Sequence, residues 1–327
     1  MDRAEPSIPA PAAEPHSVRP PQEPADTSLE AARELFRWAT RVGTETPEAL
    51  ETMPEPASTE ALCALDIDFV RECLDALMMG RHTREGLEAL HLAGILAAWL
   101  PEVEAMVGFA DGEWRHKDVW LHTKQVVWQS VPRLEVRWGA LLHDIGKIKT
   151  RRIDERGQVH FFGHSEVGAS MYRRRVGKRL QMTGHLDERV HYLILYHLRA
   201  SQYERGWTDS AVRRFARDMG DGLTDLLDLS RADITTKRPE RRKRGLRQIS
   251  ELSNRIEELH KADAEVPPLP KGLGSEIISH FALPPSKLVG DLRGWLETEA
   301  KAGNIDAGCD IAYYIGVLEQ KREELGF

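Results

Sequence analysis

The stretch GALLHDIGKIKT, residues 139–150, sets a histidine and an aspartate side by side inside a run otherwise fit for a protein interior. His143 and Asp144 stand among Leu141, Leu142 and Ile145, so any helix that buries those apolar residues takes an imidazole and a carboxylate in with them. An unpaired buried carboxylate is strongly unfavourable. The chain must therefore fold so that neutralising partners converge on this doublet. That demand constrains the architecture more than any other feature of the sequence.

Apolar periodicity through the rest of the chain is almost entirely helical. SLEAARELFRWATRVG has a Ser start and a Gly stop, with Ala32, Leu35, Phe36 and Ala39 on one stripe. Further helices are predicted in IDFVRECLDALMM, TREGLEALHLAG and ILAAWLPEVEAMV, and over 116–131, 135–148, 164–182, 185–198, 209–219, 221–236 and 239–262. The one β-like signal is TRRIDERGQVHFFG, two short runs around an Asp-Glu-Arg-Gly turn. AEVPPLPKGLG breaks the chain before two or three final helices. The fold class is all-α, a helical bundle with one small β-hairpin.

Composition narrows the function classes. No apolar run reaches the ~18 residues a membrane span needs, and the opening MDRAEPSIPAPAAEPHSVRPPQEPAD has no apolar core of a signal peptide. Residues 1–27 are expected to be a disordered Pro/Ala/Glu-rich tail, because they bury too little surface to offset their ordering entropy. Cys63, Cys73 and Cys309 form no C-x-x-C pair, which argues against a thiolate zinc site and for a reducing, cytoplasmic setting. The net charge of −7 is uneven: residues 1–110 carry −12, leaving +5 for residues 111–327. The later two-thirds can thus meet phosphates without the protein being basic overall.

Helical spacing brings other metal-capable groups onto buried faces. His122 falls one turn from Val119 and Val126, His197 follows Leu193 and Ile194, and Asp233 continues the stripe of Leu226 and Leu229. A single histidine on such a face is more often a satisfied core residue than a ligand. Several imidazoles and two carboxylates converging in one bundle are hard to satisfy without a cation.

The order His122, His143–Asp144, Asp233 resembles the HD superfamily of metal-dependent phosphohydrolases. HKDVWLHTKQVV, GALLHDIGK, FFGHSEVGA and ADITTK are similar to the HD domain attached to bacterial CCA-adding tRNA nucleotidyltransferases. ELFRWATRVG resembles that family's neck, GLEALHLAGILAAWLPEVEAMVG the stretch before its HD domain, and LPPSKLVGDLRGWLETEAKAGNI its C-terminal helices. The resemblance implies a helical neck-like domain over 28–110, an HD domain over 111–262 and a C-terminal helical segment over 263–327. The family's nucleotidyltransferase head, with its Gly-Ser turn and paired aspartates, has no counterpart here. Asp66 and Asp68 are read as helix-start residues, and Gly274-Ser275 lies in the wrong order.

The resemblance implies that His122, His143, Asp144 and Asp233 ligate one divalent metal. A mixed His/carboxylate set suits Mn, Fe, Co, Ni or Zn better than Mg. His164 and His197 either hold a second ion or hydrogen-bond the phosphate. Asp144 is assigned a catalytic role through the metal. Lys147, one helical turn after His143, is expected above the ligands, binding phosphate, and Lys237, one turn after Asp233, has the same claim. His116, His160, His185 and His191 are read as structural or surface residues, and Trp114, Trp120, Trp128 and Trp138 as core. KRPERRKRG, 237–245, is either an RNA-tracking patch or a solvated helix start. The expected activity is hydrolysis of a phosphate-containing small molecule, a nucleotide, or a cyclic or terminal phosphate on an RNA end. The alternatives are a tRNA-binding module with a vestigial HD site, or the HD and neck part of a split CCA-adding enzyme.

Overall fold

The computed structural model describes residues 26–45, 52–109, 118–264 and 269–327. The tail up to residue 25, together with Trp114 and His116, lies outside the described residues. In chain order the helices are α1 (Asp26–Thr44), α2 (Thr59–Cys63), α3 (Ile67–Met79), α4 (Thr83–Leu92), α5 (Ile95–Trp99), α6 (Pro101–Glu104), α7 (Val119–Gln129) and α8 (Leu134–Leu142). They continue as α9 (Lys147–Thr150), α10 (His164–Met171), α11 (Gly177–Arg179), α12 (Gly184–Tyr196), α13 (Asp209–Met219), α14 (Leu223–Ala232) and α15 (Pro239–Ala264). The series ends with α16 (Leu273–His280), α17 (Lys287–Lys301), α18 (Ile311–Gln320) and α19 (Arg322–Leu325). Strands β1 (Arg152–Ile153) and β2 (Val159–His160) pair antiparallel, Arg152 opposite His160. The fold is all-α with this single hairpin among the described residues.

The chain divides into two compact units. The larger contains the residues up to Trp207 and Ala216–Leu252; the smaller contains Thr208–Phe215 and Ser253–Phe327. At the centre of the larger unit lies α8, whose sequence LEVRWGALL is buried from Val136 to Leu142 on every side. A helix buried all round belongs in the middle of a bundle, and α8 packs against α3, α7, α12 and α14. Around it α1 packs on α3 and α4, α4 on α7, and α10 on α9 and α12. Asp66 caps α3, its carboxylate accepting from the amides of Asp68 and Phe69. That is a helix-start role. Trp120 and Trp138 are core, whereas Trp128 is 47% exposed beneath the Arg84 guanidinium, contrary to its expected burial.

Several predicted helices end early, and the ends matter. The helix expected over 135–148 stops at Leu142, so His143 and Asp144 lie in a turn rather than within the helix. Likewise α12 stops before His197 and α14 before Asp233. The stretch 164–182 is one helical path interrupted by a wider π turn at Tyr172–Val176.

The smaller unit has its own core, built by Leu273, Ile277, Leu292, Leu296, Tyr314 and Leu318. Asp310 caps α18 through the amide of Tyr313, and the Tyr314 hydroxyl donates to Asp306 O at 2.9 Å.

Candidate metal centre

Six side chains from five elements of the larger unit meet at one point. Asp118 caps α7 through the Leu121 amide, which sets His122 one turn into that helix. His143, His197 and Asp233 occupy the C-caps of α8, α12 and α14, with Asp144 next in line. Their backbones remain right-handed helical, so each side chain continues its helix's buried stripe. Three helix C-termini carry partial negative charge into the centre, a field that favours a cation. His164 enters from the opposite direction as the first residue of α10, behind Gly163.

Gly146 explains why the turn can close. A Cβ there would lie 2.0 Å from His164 O and 2.7 Å from Gly168 N. Only glycine lets the backbone after the doublet touch α10, and this contact holds His164 beside Asp144.

The donors fall into two triads: His122, His143 and Asp233, and Asp144, His164 and His197. Within each triad the potential ligand atoms lie within 4.8 Å of one another. Asp144, 2% exposed, stands between them: its Oδ2 is 3.2 Å from His143 Nε2 and 3.5 Å from His122 Nε2, while its Oδ1 is 3.5 Å from His164 Nε2. Asp233 Oδ1 lies 3.1 Å from His122 Nε2. Asp144 thus lies within reach of both groups, beside His122 and His143 through Oδ2 and beside His164 through Oδ1.

The outer nitrogens are all engaged. Nδ1 of His143 meets Ala140 O at 2.7 Å, that of His164 meets Phe161 O at 2.8 Å, and that of His197 meets Ile194 O at 2.8 Å. A carbonyl only accepts, so each Nδ1 carries the proton and in the neutral ring Nε2 offers a lone pair. Burial lowers the pKa of His164 and takes His197 down to about 4, so both are neutral at pH 7. Their Nε2 atoms face each other at 3.1 Å. Two lone pairs that close repel unless a cation accepts both. The donor set therefore fits a divalent metal, and carbonyl bonds behind ligating imidazoles are the usual outer support.

The carboxylates are ready to ligate as anions. Burial would raise Asp144, but His143, Lys147 and His122 outweigh it and hold the carboxyl well below its usual range. Burial likewise opposes ionisation of Asp233, and His122 and His143 overcome it, bringing its pKa to about 2. His143 shifts the other way, its desolvation outweighed by Asp144.

Lys147 and Lys237 do not sit where helical continuity predicts. The turn at His143–Gly146 drops the Lys147 ammonium onto Asp144 Oδ2 at 2.6 Å, rather than above the ligands. Because α14 ends at Ala232, Lys237 does not stand one turn over Asp233; it is exposed in the segment leading to α15. His160 pairs with Asp154 on the hairpin and His185 faces Glu135, both away from the six donors. Thr235, whose Oγ1 lies 2.9 Å from His122 Nδ1, is a supporting residue that sequence reasoning missed, although it stands within ADITTK.

The family model for the HD domain matches residues 79–259, more than half of the chain. The chain belongs to the HD domain family, whose members bind divalent metals and form a superfamily of metal-dependent hydrolases. Among individual proteins it is similar to a CC-adding tRNA nucleotidyltransferase of Thermus thermophilus, 35% identical over 254 residues, 75% of this chain and 55% of the relative. An A-adding tRNA nucleotidyltransferase of Deinococcus radiodurans is 30% identical over 240 residues, 71% of this chain and 54% of the relative. A multifunctional CCA protein of Pseudomonas fluorescens is 32% identical over 124 residues, 36% of this chain and 30% of the relative. The chain spans about half the length of the first two. No described helix is long and apolar enough to cross a membrane.

Proposed function

We propose that the chain is a metal-dependent phosphohydrolase acting on a nucleotide or on a cyclic or terminal phosphate of RNA. The observation that carries this reading is the pair of triads joined by Asp144, with the His164 and His197 lone pairs turned on each other. In it, His122, His143 and Asp233 hold one divalent ion, and Asp144, shared between the triads, holds a second with His164 and His197. Bound there, such ions would polarise a phosphoryl oxygen and acidify a water. The carbonyls of Ala140, Phe161 and Ile194 fix the imidazole tautomers. Lys147 neutralises Asp144 and, 22% exposed, presents an ammonium to an arriving phosphate. A second reading, an RNA-binding role on tRNA, is supported by the tRNA nucleotidyltransferases that match over 71–75% of the chain.

Elemental analysis and a substrate panel test the first reading. Purified protein is expected to hold two transition-metal ions and, with Mn, Co or Ni added, to hydrolyse phosphomonoesters or 2′,3′-cyclic phosphates. Asp144→Ala should lose both ions and all turnover while keeping its helical circular dichroism, and Asp233→Ala should lose one ion. An Asp144→Ala protein with full metal content and normal turnover refutes the assignment. Metal-free Asp144→Ala that still binds tRNA as tightly as the wild type favours the second reading.

A further inference from the structure

Three of the four histidines at the centre are held locally. Nδ1 of His143, His164 and His197 each bonds the carbonyl three residues earlier, of Ala140, Phe161 and Ile194. His122 is the exception: its Nδ1 meets the hydroxyl of Thr235, 113 residues away. Close packing does not stand in for the local bond. The side chains of His122 and Asp233 are 22% and 29% exposed, against 1% and 2% for His143 and Asp144. These two half-open donors of one triad therefore depend on whatever fastens α7 to the segment after α14.

One side chain makes most of that link. Gln129 lies seven residues after His122, on the same face of α7. Its Nε2 donates to the carbonyl of Ala232 and, at 3.4 Å, to that of Ile234. These residues flank Asp233, and Ala232 closes α14, where a carbonyl has no partner within the helix. Both acceptors are carbonyls, so the amide nitrogen must face them. Oε1 then accepts from Gln125 Nε2 at 3.1 Å, which fixes the orientation of the amide. Gln129 and Thr235 thus pin residues 232–235 at both ends. Asp233 lies between the two points, its Oδ1 3.1 Å from His122 Nε2.

We propose that Gln129 is a positioning residue of the metal centre. With Thr235 it clasps residues 232–235 to α7, and this clasp sets how tightly the triad of His122, His143 and Asp233 holds a divalent ion. The triad of Asp144, His164 and His197, whose histidines are held locally, does not depend on it. The proposal rests on the two-ion reading above and adds what governs one ion's affinity separately from the other's.

The test is a titration of Mn²⁺ bound per chain against free Mn²⁺, on the full chain and on Gln129→Leu and Thr235→Val. Both substitutions remove hydrogen bonds at nearly constant volume. Loss of such outer support typically weakens a bound metal about ten- to a hundredfold. In each variant one ion should loosen by that factor while the other keeps its wild-type affinity. In Asp233→Ala, which lacks a ligand of the clasped triad, adding Gln129→Leu should change metal binding no further. If Gln129→Leu does not fold, Thr235→Val carries the same expectation. Equal loosening of both ions makes Gln129 a general structural residue and overturns the proposal. Variants that bind two ions as tightly as the wild type overturn it and leave the metal reading intact. A wild-type chain that takes up no Mn²⁺ ends the metal reading itself, and the clasp with it.

Discussion

Lys147→Met separates a carboxylate built for a metal from one that belongs to an ordinary buried ion pair. In the structure the Lys147 ammonium lies 2.6 Å from Asp144 Oδ2, and that carboxylate is 2% exposed. Removing one partner of a buried pair typically costs about 3–5 kcal/mol, because a charge is left uncompensated. Here His143 remains 3.2 Å from the same oxygen, so the loss should fall below that range, at about 2–3 kcal/mol. Divalent metal at the triads would take over that neutralisation and shrink the loss to below ~1 kcal/mol. At ~2–4 °C per kcal/mol for a unit of this size, Tm should drop by roughly 5–10 °C in chelator and by only ~3 °C or less in saturating Mn²⁺. Metal content should stay at the wild-type level, since a protonated lysine is no ligand. Turnover should not: kcat/KM on a phosphate ester should fall about ten- to a hundredfold, the worth of a lost charge-assisted contact. Equal destabilisation with and without metal would mean that Lys147 and Asp144 form a structural pair. A parallel fall in metal content and turnover would mean that Lys147 positions the ligands instead of meeting substrate.

Two further predictions come from other parts of the larger unit. Gly146→Ala should destabilise it by more than the ~1–3 kcal/mol of ordinary overpacking, because the obstructing atoms at 2.0 and 2.7 Å are backbone; bound metal should fall with it, and a variant with wild-type Tm and metal content contradicts the close approach. Glu102 is desolvated, but Arg179, at 2.8 and 2.9 Å, holds its carboxyl below the usual range. A depressed carboxylate stabilises above its unfolded pKa, so this contribution, on the order of 1–3 kcal/mol, is present at pH 7 and lost as pH falls below about 4.5. Urea unfolding of Glu102→Gln should therefore show a smaller drop between pH 7 and pH 4 than the wild type; equal slopes would rule the pair out as a source of pH dependence.

The sequence alone determined the fold class and most of the donors, for a shared reason. Helical periodicity is a local property, and the stripes of Leu226–Leu229 or Leu193–Ile194 dictate which face each helix buries. His122, His143, Asp144, His197 and Asp233 could be placed on that face before any helix had a neighbour. Where the helices stop is a different matter. His143, His197 and Asp233 sit just past the ends of α8, α12 and α14, and no glycine or proline next to them marks the stop. At α8 the turn that follows is held by the close approach of Gly146 to His164 and Gly168, a contact between separate elements that the local pattern does not show. The same separation hides which donors share a triad, because Asp144 turns one oxygen to each group only when α10 arrives from the other side. Lys147 and Lys237 lie off the lines of α8 and α14 because the chain turns after Leu142 and after Ala232. The contact of Thr235 with His122 joins residues far apart in sequence, and local pattern carries no trace of it.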